Sequence, residues 1–327
     1  MPVLLIVIIA IALVFDFLNG FHDSSNIVAT VISSRAMSPR SALIMTAIAE
    51  FAGPFLFGVA VAKTIGSEVV DPAAITSAVI IAALTSAILW NLLTWYFGWP
   101  SSTSHALIGG LVGAVVVSAG FDTINMEGLE KVLIALFISP ILGLVFGFLV
   151  LKAIYFLSRG ASPRINTVFK RGQLGTSLAL ALSHGTNDAQ KTMGIIAMAM
   201  VTTGYVEEFQ VPWWVITLSA GAIALGTASG GWRLIETLGG RFFKIRPVHA
   251  FGSQLTSASV ILGAALIGGP VSTTQVVSSS IMGAGSADRV SKVRWTVARD
   301  IAVAWVLTIP VSALLAAVLH SVIGLFL

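Results

Sequence analysis

The chain contains no cysteine among its 327 residues. Disulfides, thiolate nucleophiles and cysteine-held metal centres are therefore excluded. Charge is almost as scarce. Asp, Glu, Lys and Arg together make up 10% of the residues, where a soluble domain carries about 25%. No polar block is long enough to form a separate soluble domain. The net charge of +4 comes from basic residues in short loops between apolar segments. That distribution orients a chain in a membrane and does not describe a nucleic-acid surface. No basic stretch precedes the apolar start, and Asp16 interrupts it, so it reads as a retained membrane helix rather than a cleaved signal.

What is present is hydrophobicity: 56% of the residues, with a mean hydropathy of +0.96. Apolar segments fall at 2–34, 41–62, 73–98, 102–119 and 129–157, then at 173–203, 213–232, 247–268, 272–287 and 296–326. A membrane-spanning helix needs about 20 such residues, so the chain reads as an all-α integral membrane protein. The first segment of each set is long, with a glycine and charges in its middle, which predicts a broken helix. The fourth is short, which predicts a re-entrant helical hairpin.

The two sets match each other. Pro100, Ser102, Thr103, Gly113 and Pro140 recur as Pro270, Ser272, Thr273, Gly283 and Pro310 at one shared spacing. Such a spacing marks an internal repeat, with halves at 1–157 and 173–327 and a cytoplasmic linker at 158–172. Basic clusters stand at Arg35/Arg40, Arg159/Arg164/Lys170/Arg171, Arg233/Arg241/Lys244/Arg246 and Arg289/Lys292/Arg294/Arg299. Acidic-leaning loops stand at Glu68/Asp71, Asp122/Glu127/Glu130 and Glu207/Glu208. Placing the basic clusters inside gives ten segments with both termini extracytoplasmic. Five per half is odd, so the second half enters from the opposite face, as in inverted-topology repeats.

Each half also carries a charged motif inside apolar sequence. The first is Gly20-Phe21-His22-Asp23-Ser24-Ser25-Asn26 and the second Gly185-Thr186-Asn187-Asp188-Ala189-Gln190-Lys191. Asp16, Asn19, Asp23, Asn26, Thr30 and Ser33 form one helical stripe, and Ser177, His184, Asp188 and Lys191 form another. Hydroxyls and amides on such stripes often serve as interhelical hydrogen-bond glue. Asp23 and Asp188 demand more, because a carboxylate at that depth requires a cation, a proton or a lysine. Asn26 and Asn187 add neutral oxygen donors suited to a hard cation. Lys191 stands about one turn from Asp188, where a fixed ammonium can take the place of a bound cation. Glu50 reads either as a coupling carboxylate or as a lumen-facing structural one, the structural reading being slightly preferred.

A further pair is Pro100-Ser101-Ser102-Thr103-Ser104-His105 and Pro270-Val271-Ser272-Thr273-Thr274-Gln275. Each opens an apolar segment with hydroxyl residues, which cap helix starts. The free N–H groups and positive dipole end of such a start attract anions. Two starts entering from opposite faces would surround a tetrahedral oxyanion. An intramembrane enzyme is disfavoured: no nucleophile elbow is present, and the adjacent Ser104 and His105 diverge on one helix. Gly109 with Gly113, and Gly143 with Gly147, are spaced for close helix packing.

These residues resemble the PiT family of inorganic phosphate transporters over almost the whole chain. Gly20 to Ser38 and Ser183 to Gly194 resemble its two signatures. Trp99 to Gly113 and Gly269 to Gly285 resemble its serine/threonine stretches, and Trp295 to Pro310 its closing helix. The resemblance implies phosphate import by alternating access, coupled to a proton or sodium, often in a homodimer. By position it assigns phosphate contacts to Ser102, Thr103, Ser104, Ser272, Thr273, Thr274, Asn187 and Lys191. It assigns cation coupling to Asp23, Asn26, Asp188 and Asn187, with Asp23 and Asp188 as ligands if the ion is sodium. Sodium-coupled members typically read Asn-Asp-x-x-Asn in both halves. Here His22 precedes Asp23, and Gln190-Lys191 stands where the second asparagine would fall, which looks closer to the bacterial proton-coupled branch. Another oxyanion such as sulfate, or a passive anion channel, are the alternative readings. No cofactor is expected.

Overall fold

The computed structural model describes residues 2–70, 74–241 and 244–325. Asp71 of the acidic loop, the side chains of Arg233 and Arg241, and the outer ends of the segments at 73 and 326 lie outside that description. The described residues form twelve α-helices and no strand, apart from an isolated bridge between Val70 and Ile124. The first half contains α1 (Val3–Ser33), α2 (Pro39–Phe57), α3 (Ala60–Lys63), α4 (Ser77–Phe97), α5 (Thr103–Ala119) and α6 (Met126–Leu157). The second contains α7 (Ile165–Thr202), α8 (Trp213–Ser229), α9 (Trp232–Glu236), α10 (Pro247–Leu266), α11 (Thr273–Asp288) and α12 (Trp295–Ile323). Short π-helical turns follow α3 and α9 at Thr64–Glu68 and Thr237–Arg241, so the same sequence of elements occurs twice.

Among the described residues, α1, α2, α4, α6 and α12 are long and apolar enough to cross a membrane. The outer helices α6 and α12 leave large apolar side chains exposed, including Phe137, Ile141, Phe146, Val306 and Leu314, as lipid contact requires. The inner pair is the reverse. On α7 every residue from Ser183 to Met200 is buried, and on α1 every residue from His22 to Val31. The chain is thus a multi-pass membrane protein with its polar sequence at the centre.

The broken helices do not lie where the sequence places them. Both α1 and α7 run uninterrupted through their charged motifs. The breaks fall in the second segment of each half, at Gly58 between α2 and α3 and at Gly230 between α8 and α9. Both glycines have positive φ, at 83° and 74°, a conformation that favours residues without Cβ. Gly20 and Gly185 serve a different purpose. A side chain on Gly20 would strike the Ile223 backbone of α8, and one on Gly185 the Glu50 backbone of α2. They are crossing points rather than hinges.

Packing is exchanged between the halves. The short helix α5 packs chiefly on α12, and its counterpart α11 on α6; likewise α1 packs on α8 and α7 on α2. Glycines allow the approach, as their spacing predicts. Gly109 and Gly113 face Ile309 and Ala313, while Gly143 and Gly147 face Val276 and Ser280.

Candidate functional site

The site is assembled from α1, α7 and the starts of α5 and α11. Ser102 and Ser272 are the N-caps of the two short helices. Ser102 Oγ accepts the His105 amide at 3.1 Å and Ser272 Oγ the Gln275 amide at 3.3 Å. The caps fix both helix starts with the next hydroxyls turned inward. The starts meet: Ser104 Oγ donates to the Val271 carbonyl at 3.1 Å. Lys191 seals the junction. Its Nζ donates to Ser104 Oγ at 2.6 Å, to the Val271 carbonyl at 3.0 Å and to Asp188 Oδ1. All three ammonium protons are therefore used.

The two aspartates converge on α11. Thr274 Oγ1 donates to Asp23 Oδ1 at 2.9 Å, and Thr273 Oγ1 lies 2.9 Å from Asp188 Oδ2 and 3.3 Å from Asp23 Oδ2. A single hydroxyl proton cannot serve both acids at once. His184 stands on the other side, with Nε2 at 3.2 Å from Asp188 Oδ2 and 3.8 Å from Asp23 Oδ2. Its Nδ1 approaches Glu50 Oε1 at 2.7 Å. Asp23 also receives His22 Nδ1 at 2.9 Å. Every one of these residues is buried. Three carboxylates share one ammonium here, so the cluster attracts further positive charge. Asp23, His184 and Asp188 each point one ligand atom into a common volume, all within 4.8 Å of one another. Two carboxylates and an imidazole there can take a cation or share a proton.

The asparagines are held by their nitrogens. Asn26 Nδ2 donates to Thr274 Oγ1 at 3.1 Å, and Asn187 Nδ2 to the Gly269 carbonyl at 3.1 Å. Their buried oxygens have no partner and remain open as ligands. Asn26, Lys191, Ser104, Thr273 and Thr274 thus join the aspartates. Asn187 instead faces the strand of chain leading into α11, and Thr103 is the buried first residue of α5. Of the stripe residues singled out in the sequence, only Ser33 is exposed. Thr30 acts as glue, accepting from Gln254 Nε2 at 2.8 Å.

Two site residues carry more than the sequence reading gave them. His184 reads only as one member of a stripe, and Glu50 as a coupling or, by slight preference, a structural carboxylate; the fold brings them into contact beside Asp188. Other motif positions act on the helix breaks. Gln190 Oε1 accepts the Val61 amide at 2.8 Å and its Nε2 donates to the Gly58 carbonyl at 2.7 Å. In the opposite half Ser24 Oγ accepts the Gly231 amide at 2.8 Å. Each motif helix therefore satisfies backbone groups freed by the other half's break, which burial makes obligatory.

The phosphate transporter family model matches residues 19–316. The chain belongs to the phosphate transporter family. A probable low-affinity inorganic phosphate transporter of Bacillus subtilis is 44% identical over 99% of this chain and 98% of its own length. One of the same description from Rhizobium meliloti is also 44% identical, over 97% of this chain and 96% of that one. Among solved structures, a sodium-dependent phosphate transporter superposes with a TM-score of 0.89 at 23% identity, covering 99% of this chain and 100% of that one. At that identity the likeness bears on the fold. Membership of this family makes the chain a transporter and not an enzyme, which disposes of the intramembrane hydrolase.

Proposed function

We propose that this protein imports inorganic phosphate across the plasma membrane by alternating access, drawing on a downhill proton or sodium gradient. The observation that carries the reading is the junction of α5 and α11 beside Asp23 and Asp188, bridged by Lys191. In the proposal phosphate binds between the two helix starts. Ser102, Thr103, Ser104, Ser272, Thr273 and Thr274 supply hydroxyls and backbone N–H groups, Asn187 a side-chain amide and Lys191 a compensating charge. Asp23 and Asp188, with the open oxygens of Asn26 and Asn187, accept the driving cation. Phosphate that retains a proton donates to a carboxylate, which sulfate cannot do at neutral pH. The paired acids therefore favour phosphate over sulfate.

The same proposal takes the halves as inverted repeats, supported by the duplicated order of elements and their exchanged packing partners. It places both termini outside the cell and includes a homodimer. The test is radiolabelled phosphate uptake into proteoliposomes, with proton and sodium gradients imposed separately. Accumulation against a gradient, inhibited by arsenate and not by sulfate, is the expected result. Uptake that never exceeds equilibrium under either gradient would instead identify a passive pathway.

A further inference from the structure

Asp16 lies two turns before Asp23 on the buried stripe of α1, apart from the junction. It is fully buried, and neither carboxylate oxygen has a hydrogen-bond partner. Asn19, one turn further on, is also fully buried with both amide atoms unpaired. From α7, the Thr192 hydroxyl approaches Asp16 without the geometry of a formed hydrogen bond, and it has no other partner. Five polar atoms on three neighbouring side chains are thus left open together. Such groups are rare in folded proteins, so an ionisable acid placed among them calls for a physical account.

The charged groups facing Asp16 are Asp188 and Lys191 on α7 and Glu50 on α2. Lys191 already spends its protons on Asp188, Ser104 and Val271. Among the described residues none forms an ion pair with Asp16. Of the other large neighbours of α1, α8 carries no titratable residue and α4 only the exposed Tyr96. The duplication does not account for the group either. With the halves aligned on Asp23 and Asp188, Asp16 falls opposite Ala181 and Asn19 opposite His184.

A bare carboxylate in this setting is costly by several kcal/mol. A metal ion would need more oxygens than these three side chains supply. A proton needs none. The neutral acid needs one acceptor for its O–H and one donor for its carbonyl oxygen, the kinds of group that Asn19 and Thr192 leave open. We propose that Asp16, on the same buried face as Asn19 and beside Thr192, is a proton-carrying group of this transporter in addition to the junction acids Asp23 and Asp188. It binds one proton from the outer medium before phosphate moves, and returns it to the inner medium once the site has opened there. This rests on the transport reading above, and selects the proton from its two candidate ions.

The experiment compares phosphate exchange with net accumulation in proteoliposomes. Exchange at equal phosphate on both sides tests the transport reading alone; its absence in the unmodified protein would overturn that reading. Accumulation under an imposed pH gradient, without sodium, tests Asp16. Asp16→Asn mimics the protonated acid permanently. We expect it to keep exchanging phosphate and to lose accumulation at least tenfold. Undiminished pH-driven accumulation by Asp16→Asn, or accumulation by the unmodified protein that sodium alone drives, overturns the proposal. If Asp16→Asn fails to insert, Asp16→Glu decides. It retains a titratable group in a displaced position, so coupling persists with a shifted pH midpoint, and an unshifted profile is a negative result.

Discussion

Lys191 Nζ on α7 donates to Ser104 Oγ on α5 at 2.6 Å, and so ties the centre of one half to the helix start of the other. The same ammonium neutralises Asp188 and holds the Val271 carbonyl that leads into α11. One side chain therefore sets both the charge of the site and the contact between its two walls.

The equivalent position in the first half is Asn26, so Lys191→Asn makes the halves alike at this point. Asp188 then lacks its built-in countercharge. Removing one partner of a buried pair costs about 3–5 kcal/mol unless something replaces it. We predict that Lys191→Asn inserts and purifies, and takes up phosphate at a rate that climbs with added cation over a range where the unmodified protein is saturated. A cation dependence unchanged from the parent would refute the exchange of roles.

Asp23 and Asp188 accept hydrogen bonds from Thr274 and Thr273, and ring nitrogens of His22 and His184 stand at 2.9 Å and 3.2 Å from them. Asparagine preserves shape and removes charge. Asp23→Asn and Asp188→Asn should each abolish phosphate accumulation while the protein still inserts. Hydrogen bonds to charged groups contribute about 1.5–3 kcal/mol, which sets a floor of roughly tenfold to a hundredfold on the loss. Full activity of either variant in proteoliposomes counts against both roles.

Ser104 and Ser102 separate binding from stability. Ser104→Ala removes a hydroxyl from the junction and leaves the cap of α5 intact. Its KM for phosphate should rise about threefold to tenfold, the equivalent of about 0.5–1.5 kcal/mol. Ser102→Ala removes the cap, which costs about 1 kcal/mol and is read as a lower midpoint of thermal unfolding in detergent. Equal KM values for Ser104→Ala and the parent would place phosphate elsewhere.

Gly185 and Gly175 lie ten residues apart on α7 and have opposite surroundings. A methyl on Gly185 would meet the backbone of Glu50, whereas Gly175 faces open space. Overpacking costs about 1–3 kcal/mol, while alanine is about 1 kcal/mol better than glycine in an exposed helix interior. Gly185→Ala should therefore lower the unfolding midpoint and displace Glu50 from His184, with Gly175→Ala neutral or stabilising. Similar midpoints for the two would show that α2 does not cross α7 at Gly185.

Much of this site is legible in the sequence because its parts are local. Stripes of polar residues at helical spacing and serine caps ahead of apolar runs depend on a few neighbouring positions. Asp23, Asp188, Ser104, Thr273 and Thr274 were found that way. What escaped depends on contacts between distant segments. A glycine within a charged apolar stretch reads as a hinge, yet Gly20 and Gly185 mark the passage of another helix. Glu50 reads by slight preference as structural until His184, which lies on a different helix, is placed against it. Gln190 reads only as a position where the motif departs from the family pattern, and its amide holds the ends of a break more than a hundred residues earlier.

The exchanged packing has a consequence for biosynthesis. Helix α5 finds its main neighbour in α12, which is made after the other eleven helices described. Helix α5 therefore leaves the ribosome with an unfilled flank and waits for α12 to seat it. A message cut short before Trp295 yields a chain in which α5 stays unclamped, and quality control in the membrane meets it as an unfinished product rather than as half a transporter.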